Sequence, residues 1–135
     1  MQLKSFILIL VLYCSAFSTQ AQYLNTGGIT VQATSTLYVD NGEAKSDACD
    51  QLYNISFKDL ILAHNIYQNG LLDVSQIYQL SAINRYMDGT TTVIQFSALS
   101  GISGLTYKYT IKTDAAGKLI SLVCTDSSGY KTTYK

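Results

Sequence analysis

The sequence predicts an α+β domain in which one long helix packs on an antiparallel meander sheet of four or five strands. Three observations carry this reading. Residues 28–39 alternate apolar and polar, residues 47–69 place apolar side chains three and four apart, and alternation resumes from residue 71, broken by short corners bearing Gly and Asp.

Ahead of these elements, "MQLKSFILILVLYCSAFSTQAQ" sets Lys4 before an apolar run from Phe6 to Tyr13 and then small and polar residues, the layout of a secretory signal peptide. The run is well short of the roughly 20 residues that a bilayer span needs. Residues 1–21 are therefore read as the signal peptide, with Thr19-Gln20-Ala21 at the cleavage site, and 22–135 as a single secreted domain. The expected location is extracellular, or periplasmic in a bacterium.

Removing Lys4 leaves eight basic against nine acidic residues, a balance that gives no reason to propose nucleic acid or, for the mature form, a membrane as partner. Cys14 departs with the leader. In an oxidising compartment the remaining pair, Cys49 and Cys124, is expected to form one disulfide. Closing a loop of about 75 residues would contribute roughly 4 to 5 kcal/mol in the chain-entropy model.

In "GITVQATSTLYV" the apolar Ile29, Val31, Ala33, Leu37 and Val39 share one face of a strand, and Asn41-Gly42 turns the chain. The helix is then expected over 47–69. Cys49, Leu52, Tyr53, Phe57, Leu60, Ile61, His64 and Tyr67 form its apolar face, Ser46 or Asp47 caps it, and Gly70 stops it. Ile55, Leu62 and Ile66 lie off that stripe, and "SFKD" at 56–59 could cap a second helix, so an interruption near Ser56 is the alternative.

After Gly70 the strands follow in "DVSQIYQLSAINRY", "TTVIQFSAL", "LTYKYTIKT", "KLISLVC" and, as a short edge, "YKTTYK". Asp88-Gly89 makes a hairpin corner. "TDAAG" and "TDSSG" each place Asp at the first position of a type I turn and Gly three residues on, bracketing the strand that aims Cys124 at the core.

A strand carrying Gly27-Gly28, one long helix and a four-stranded meander together resemble the cystatin fold over roughly residues 27–125. The resemblance implies a wedge for papain-type proteases built from an N-terminal glycine and two hairpins. Gly27 or Gly28 would supply the first element, Asp88-Gly89 the second and Ala115-Ala116 the third, although the family's Gln-x-Val-x-Gly and Pro-Trp motifs are absent. "YKYTIKTDAAGKLISLV" is similar to the hairpin that ends many nuclear-transport-factor-2-like domains, which implies instead a pocket lined by Tyr53, Tyr67, Tyr78, Tyr107 or Tyr109.

The chemistry points away from an enzyme. His64 is the single histidine, the carboxylates stand singly, and no nucleophile, metal or phosphate-loop motif is present, so neither catalytic nor metal-ligating residues nor a cofactor are implied. Asn54-Ile55-Ser56 is an N-glycosylation sequon. The expected function is non-catalytic binding or extracellular assembly, with a protein, a second copy of the chain or a glycan as partner; protease inhibition and small-ligand binding are the alternatives.

Overall fold

The computed structural model describes residues 27–135, so the expected leader over 1–21 and the start of the domain at residue 22 lie outside the described residues. Eight strands follow one another: β1 Gly28–Asp40, β2 Glu43–Ser56, β3 Ile61–Gln68, β4 Leu71–Asp88, β5 Thr91–Ser100, β6 Thr106–Thr113, β7 Leu119–Thr125 and β8 Lys131–Tyr134. Each pairs antiparallel with the next, and β8 pairs with β1, closing a barrel. The expected α+β architecture, cystatin-like with a helix on an open sheet, is thus replaced by an all-β barrel. There is no helix among the described residues.

The difference lies in residues 47–69. The apolar residues spaced three and four apart belong to two strands joined by a turn. Gln51, Tyr53 and Ile55 of β2 point inward at period two, as do Leu62, His64 and Ile66 of β3. Ile55, Leu62 and Ile66, the residues off the helical stripe, are therefore lumen residues. "SFKD" makes the turn: the Ser56 hydroxyl donates to Asp59 Oδ2 at 2.8 Å and accepts from the Asp59 amide at 3.2 Å. A helix N-cap would use the same side-chain chemistry. Asn69-Gly70, read as a helix stop, is a hairpin turn with φ of 51° and 75°.

The remaining corners form where expected. The Asp114 Oδ1 atom accepts from the amides of Ala116 and Lys118, and Asp126 Oδ1 accepts from those of Ser128 and Tyr130. Gly117 and Gly129 close these loops at φ of 82° and 88°, where a Cβ would be strained. The last segment is not an edge. Thr132 and Tyr134 pair with Tyr38 and Thr36 of β1, and this pairing joins the last strand to the first.

Strand direction gives the barrel two unlike ends. Turns at 41–42, 69–70, 101–104 and 126–130 surround one end, called here the mouth; Gly27 and turns at 57–60, 89–90 and 114–118 surround the other, the floor. The floor half is packed with aliphatic and aromatic side chains, including Val31, Ala33, Ile55, Leu62, Leu80, Ile94, Ile111 and Leu122. An eight-stranded barrel has an interior just wide enough to be filled by side chains or to hold one small ligand. Here the floor half takes the first course.

Outward positions are polar along most strands: Thr30, Gln32 and Asn54, then Asn65, Ser75, Gln79 and Ser81, then Gln95, Ser97, Lys108, Thr110 and Lys112. Exposed Ile61, Ile77 and Leu99 interrupt this polar face.

Candidate functional site

The mouth half of the lumen is built from different material. Two short motifs of the same form, Gln51-Leu52-Tyr53 on β2 and Gln76-Ile77-Tyr78 on β4, send Gln and Tyr inward and the aliphatic residue outward. In each, the tyrosine hydroxyl donates to the glutamine Oε1 two residues earlier: Tyr53 to Gln51 at 3.1 Å, and Tyr78 to Gln76. β3 runs between the two strands, so His64 stands directly beside Tyr53 on one side and Gln76 on the other.

His64 stacks flat on Tyr53, with ring centroids 4.1 Å apart and planes within 10°, and its Nε2 lies 2.8 Å from Gln51 Oε1. Burial lowers its pKa to about 4, so the ring is neutral at physiological pH. A neutral ring facing a carbonyl oxygen carries its proton on Nε2, which leaves Nδ1 as an acceptor.

Tyr109 and Tyr134 meet Tyr53 edge-on from the opposite wall, at 6.2 and 5.2 Å; Tyr107 meets Tyr78 at 5.8 Å, and Phe96 stacks under Tyr109 at 5.3 Å. Such edge and offset arrangements are the favoured aromatic geometries. Tyr53 and Tyr109 are pushed well above the ordinary phenol value, first by burial and then by neighbouring ionisable groups, and burial takes Tyr78 up to about 12.

Cys49 and Cys124 also face this half of the lumen. Both are free thiols in the structure, so the expected disulfide is not formed. Cys49 Sγ contacts the Ala33 carbonyl at 3.5 Å, and Cys124 is the cross-strand partner of Tyr109. Burial raises both thiols, with Asp50 adding to the effect at Cys49. At neutral pH the ring of Tyr, Gln, His and Cys side chains below the rim is therefore uncharged, while Lys45 and Asp47 lie on the same face of β2 nearer the mouth.

Depth separates this lining from the core. Tyr53 and Tyr109 are buried, whereas the inward-facing Cys49, Gln51, Gln76, Tyr107, Thr132 and Tyr134 stay half-buried. On the rim, Leu71, Leu72 and Ile102 stand 74%, 57% and 76% exposed. Asp40, Glu43, Asp47, Asp50, Asp73 and Asp126 all fall in the mouth half, so the acidic bias of the first part of the chain becomes a bias of one end of the barrel.

Of the tyrosines singled out from sequence, Tyr53, Tyr78, Tyr107 and Tyr109 come together in the lumen. Tyr67 lies outside it, in a shallow depression with Gln32, Asp50 and Leu52. Gln51, Gln76 and Tyr134 were not singled out; the repeated Gln-aliphatic-Tyr pattern was the available signal.

Gly27, Asp88-Gly89 and Ala115-Ala116 all sit at the floor, on three separate segments of its rim, and Gly28 is paired with Ser56 inside the sheet. Asn54 is exposed on the outer wall, where its Oδ1 accepts from the Thr30 hydroxyl at 3.0 Å.

A groove of about 460 Å³ runs along the outside of β1–β3, lined by Thr30, Asn54, Ser56, Asp59, Ile61 and Ala63 among others. It is shallow, and its polar atoms pair with one another, Thr30 with Asn54 and Ser56 with Asp59, so little is left to recognise a ligand. Among the described residues no three His, Cys, Asp or Glu side chains converge as a metal site would require. Comparison with family models, curated proteins and solved structures returns no match for the chain.

Proposed function

We propose that the chain is a non-catalytic binding protein that takes one small, uncharged, partly planar ligand into the mouth of its barrel. The observation that carries this reading is the unequal lining of the two halves of the lumen. A barrel built only for stability gains most from aliphatic filling throughout, as in its floor half, because each buried polar group must find a partner. The mouth half instead holds Tyr, Gln, His and Cys side chains, several of them half-open to solvent. An apolar wall with a few fixed polar groups is the usual composition of a ligand pocket.

The chemistry narrows the ligand class. A charged group carried down to the Tyr, Gln and His ring would lose its hydration without meeting an opposite charge there, so the lining favours neutral molecules. Tyrosine faces favour a flat apolar body, the glutamine amides and His64 Nδ1 offer hydrogen bonds to it, and Leu71, Leu72 and Ile102 offer an apolar rim for entry. The neutral buried imidazole and raised thiols support binding over catalysis, since neither a thiolate nor a charged imidazole stands in the ring at neutral pH. The leader-like first 21 residues support a place of action outside the cytoplasm.

The test is calorimetric titration with indole and with 1-anilinonaphthalene-8-sulfonate, whose anionic group serves as the contrast, on the parent protein and on a Gln51→Leu/Gln76→Leu variant. Indole binding weakened about tenfold in the variant is expected, the loss of one or two hydrogen bonds. No indole binding by the parent, or equal binding by both proteins, contradicts the reading.

A further inference from the structure

The barrel leaves one strand edge unpaired at its mouth. β2 begins at Glu43, but its ladder with β3 begins only at Gln51, so Glu43–Ala48 pairs with β1 alone. Every residue from Glu43 to Ala48 is exposed. An edge of this length presents backbone donors and acceptors that another strand can satisfy.

The direction of those groups can be worked out. Ser35 exchanges both backbone hydrogen bonds with Lys135, so Ser35 of β1 faces β8. Backbone groups alternate along a strand, so Thr36, Tyr38 and Asp40 face β2, and their partners Asp47, Lys45 and Glu43 face β1. Ala44, Ser46 and Ala48 therefore direct their N–H and C=O groups out of the free edge. Their side chains are small, which lets a second strand approach closely.

We propose that this edge pairs antiparallel with the same edge of a second copy, about a two-fold axis at Ser46. In that register Ser46 exchanges hydrogen bonds with Ser46, and Ala44 with Ala48. Lys45 of each copy then stands opposite Asp47 of the other in a close, non-hydrogen-bonded pair, a favourable cross-strand arrangement. Shifting by two residues sets either Lys45 against Lys45 or Asp47 against Asp47, and shifting by one puts the backbone groups out of phase. Only one register thus satisfies both backbone and charge, and a symmetric dimer uses one surface twice. The groups have capacity for it. Lys45 Nζ meets Asp40 at 2.5 Å and Asp47 Oδ2 accepts from Tyr38 at 2.7 Å, leaving further ammonium protons and Asp47 Oδ1 for the partner.

Sedimentation velocity across a concentration series tests this. The parent is expected to dimerise. Lys45→Asp and Asp47→Lys should each weaken the dimer about tenfold or more by setting like charges opposite one another, and the double exchange should restore it. Ser46→Pro should abolish the dimer while leaving the circular dichroism spectrum unchanged, because the lost N–H points away from the barrel. A monomer at every concentration overturns the proposal. So does a dimer indifferent to these changes, or a double exchange that fails to rescue.

Discussion

His64 and Tyr53 are direct cross-strand neighbours whose rings lie 4.1 Å apart and nearly parallel, inside a barrel wall rather than on its surface. The contact ties the polar half of the lumen to the core. Tyr53 is fully buried, His64 is 9% exposed, and both reach the same oxygen of Gln51.

That burial makes stability depend on pH. With a pKa lowered from 6.5 to about 4, His64 takes up its proton in the unfolded chain before it does so in the folded one. Stability is therefore undiminished by this group above pH 6.5, falls as the pH drops towards 4, and changes no further below that. The full loss is up to roughly 3 kcal/mol. Urea midpoints measured from pH 7.5 to 4 should fall in the parent and fall less in His64→Gln; parallel curves would refute the assignment.

Thr113 is completely buried at the floor, and its Oγ1 has no hydrogen-bond partner in the structure. Thr113→Val keeps the branched shape and removes the unsatisfied hydroxyl. The variant should be more stable by about 1 kcal/mol, read as a higher urea midpoint at unchanged slope. A lower midpoint would mean that the hydroxyl has a partner.

Leu62 and Leu71 flank the same hairpin but differ in burial, at 0% and 74% exposure. Leu62→Ala should cost roughly 2 to 5 kcal/mol and Leu71→Ala less than about 0.5. If Leu62→Ala is tolerated equally well in urea unfolding, the side chain does not face the core.

Cys49 and Cys124 are free, and burial raises the pKa of each. Iodoacetamide should alkylate both slowly in the folded protein, at least about tenfold more slowly than in urea, with Cys124 the slower because it is the more buried. Peptide mass spectrometry after timed alkylation reads both sites. Finding the two peptides joined would restore the disulfide expected from composition.

How far the sequence discloses this molecule depends on what fills each strand's inner face. β5, β6 and the first parts of β1 and β4 are legible because apolar residues alternate with Thr, Ser, Gln and Lys, as in Tyr107, Tyr109 and Ile111 against Lys108, Thr110 and Lys112; the bulges after Ala33 and Ser81 then reverse the pattern, and Leu37, Val39 and Tyr86 are exposed instead of sharing the inner face. β2 and β3 are not legible, because their inner faces include Gln51 and His64. Polar residues inside break the alternation of hydrophobicity, and the remaining spacing of Cys49, Tyr53, Leu60, Ile61 and His64 imitates a helix. The residues that hide the strands are thus the ones that line the candidate site. Closure was illegible for another reason: it rests on the pairing of Thr36–Tyr38 with Thr132–Tyr134, a contact between chain ends that no local pattern encodes.

The central claim is that the mouth half of the lumen binds a small neutral ligand, and the most direct measurement is residue-resolved NMR of the nitrogen-15-labelled protein titrated with indole. The account predicts shifts concentrated at Gln51, Tyr53, His64, Gln76, Tyr78 and Tyr107, with the floor residues Leu62, Ile111 and Leu122 unmoved. Shifts confined to the outer groove at Thr30, Asn54 and Ala63, or no shifts at all, would contradict it.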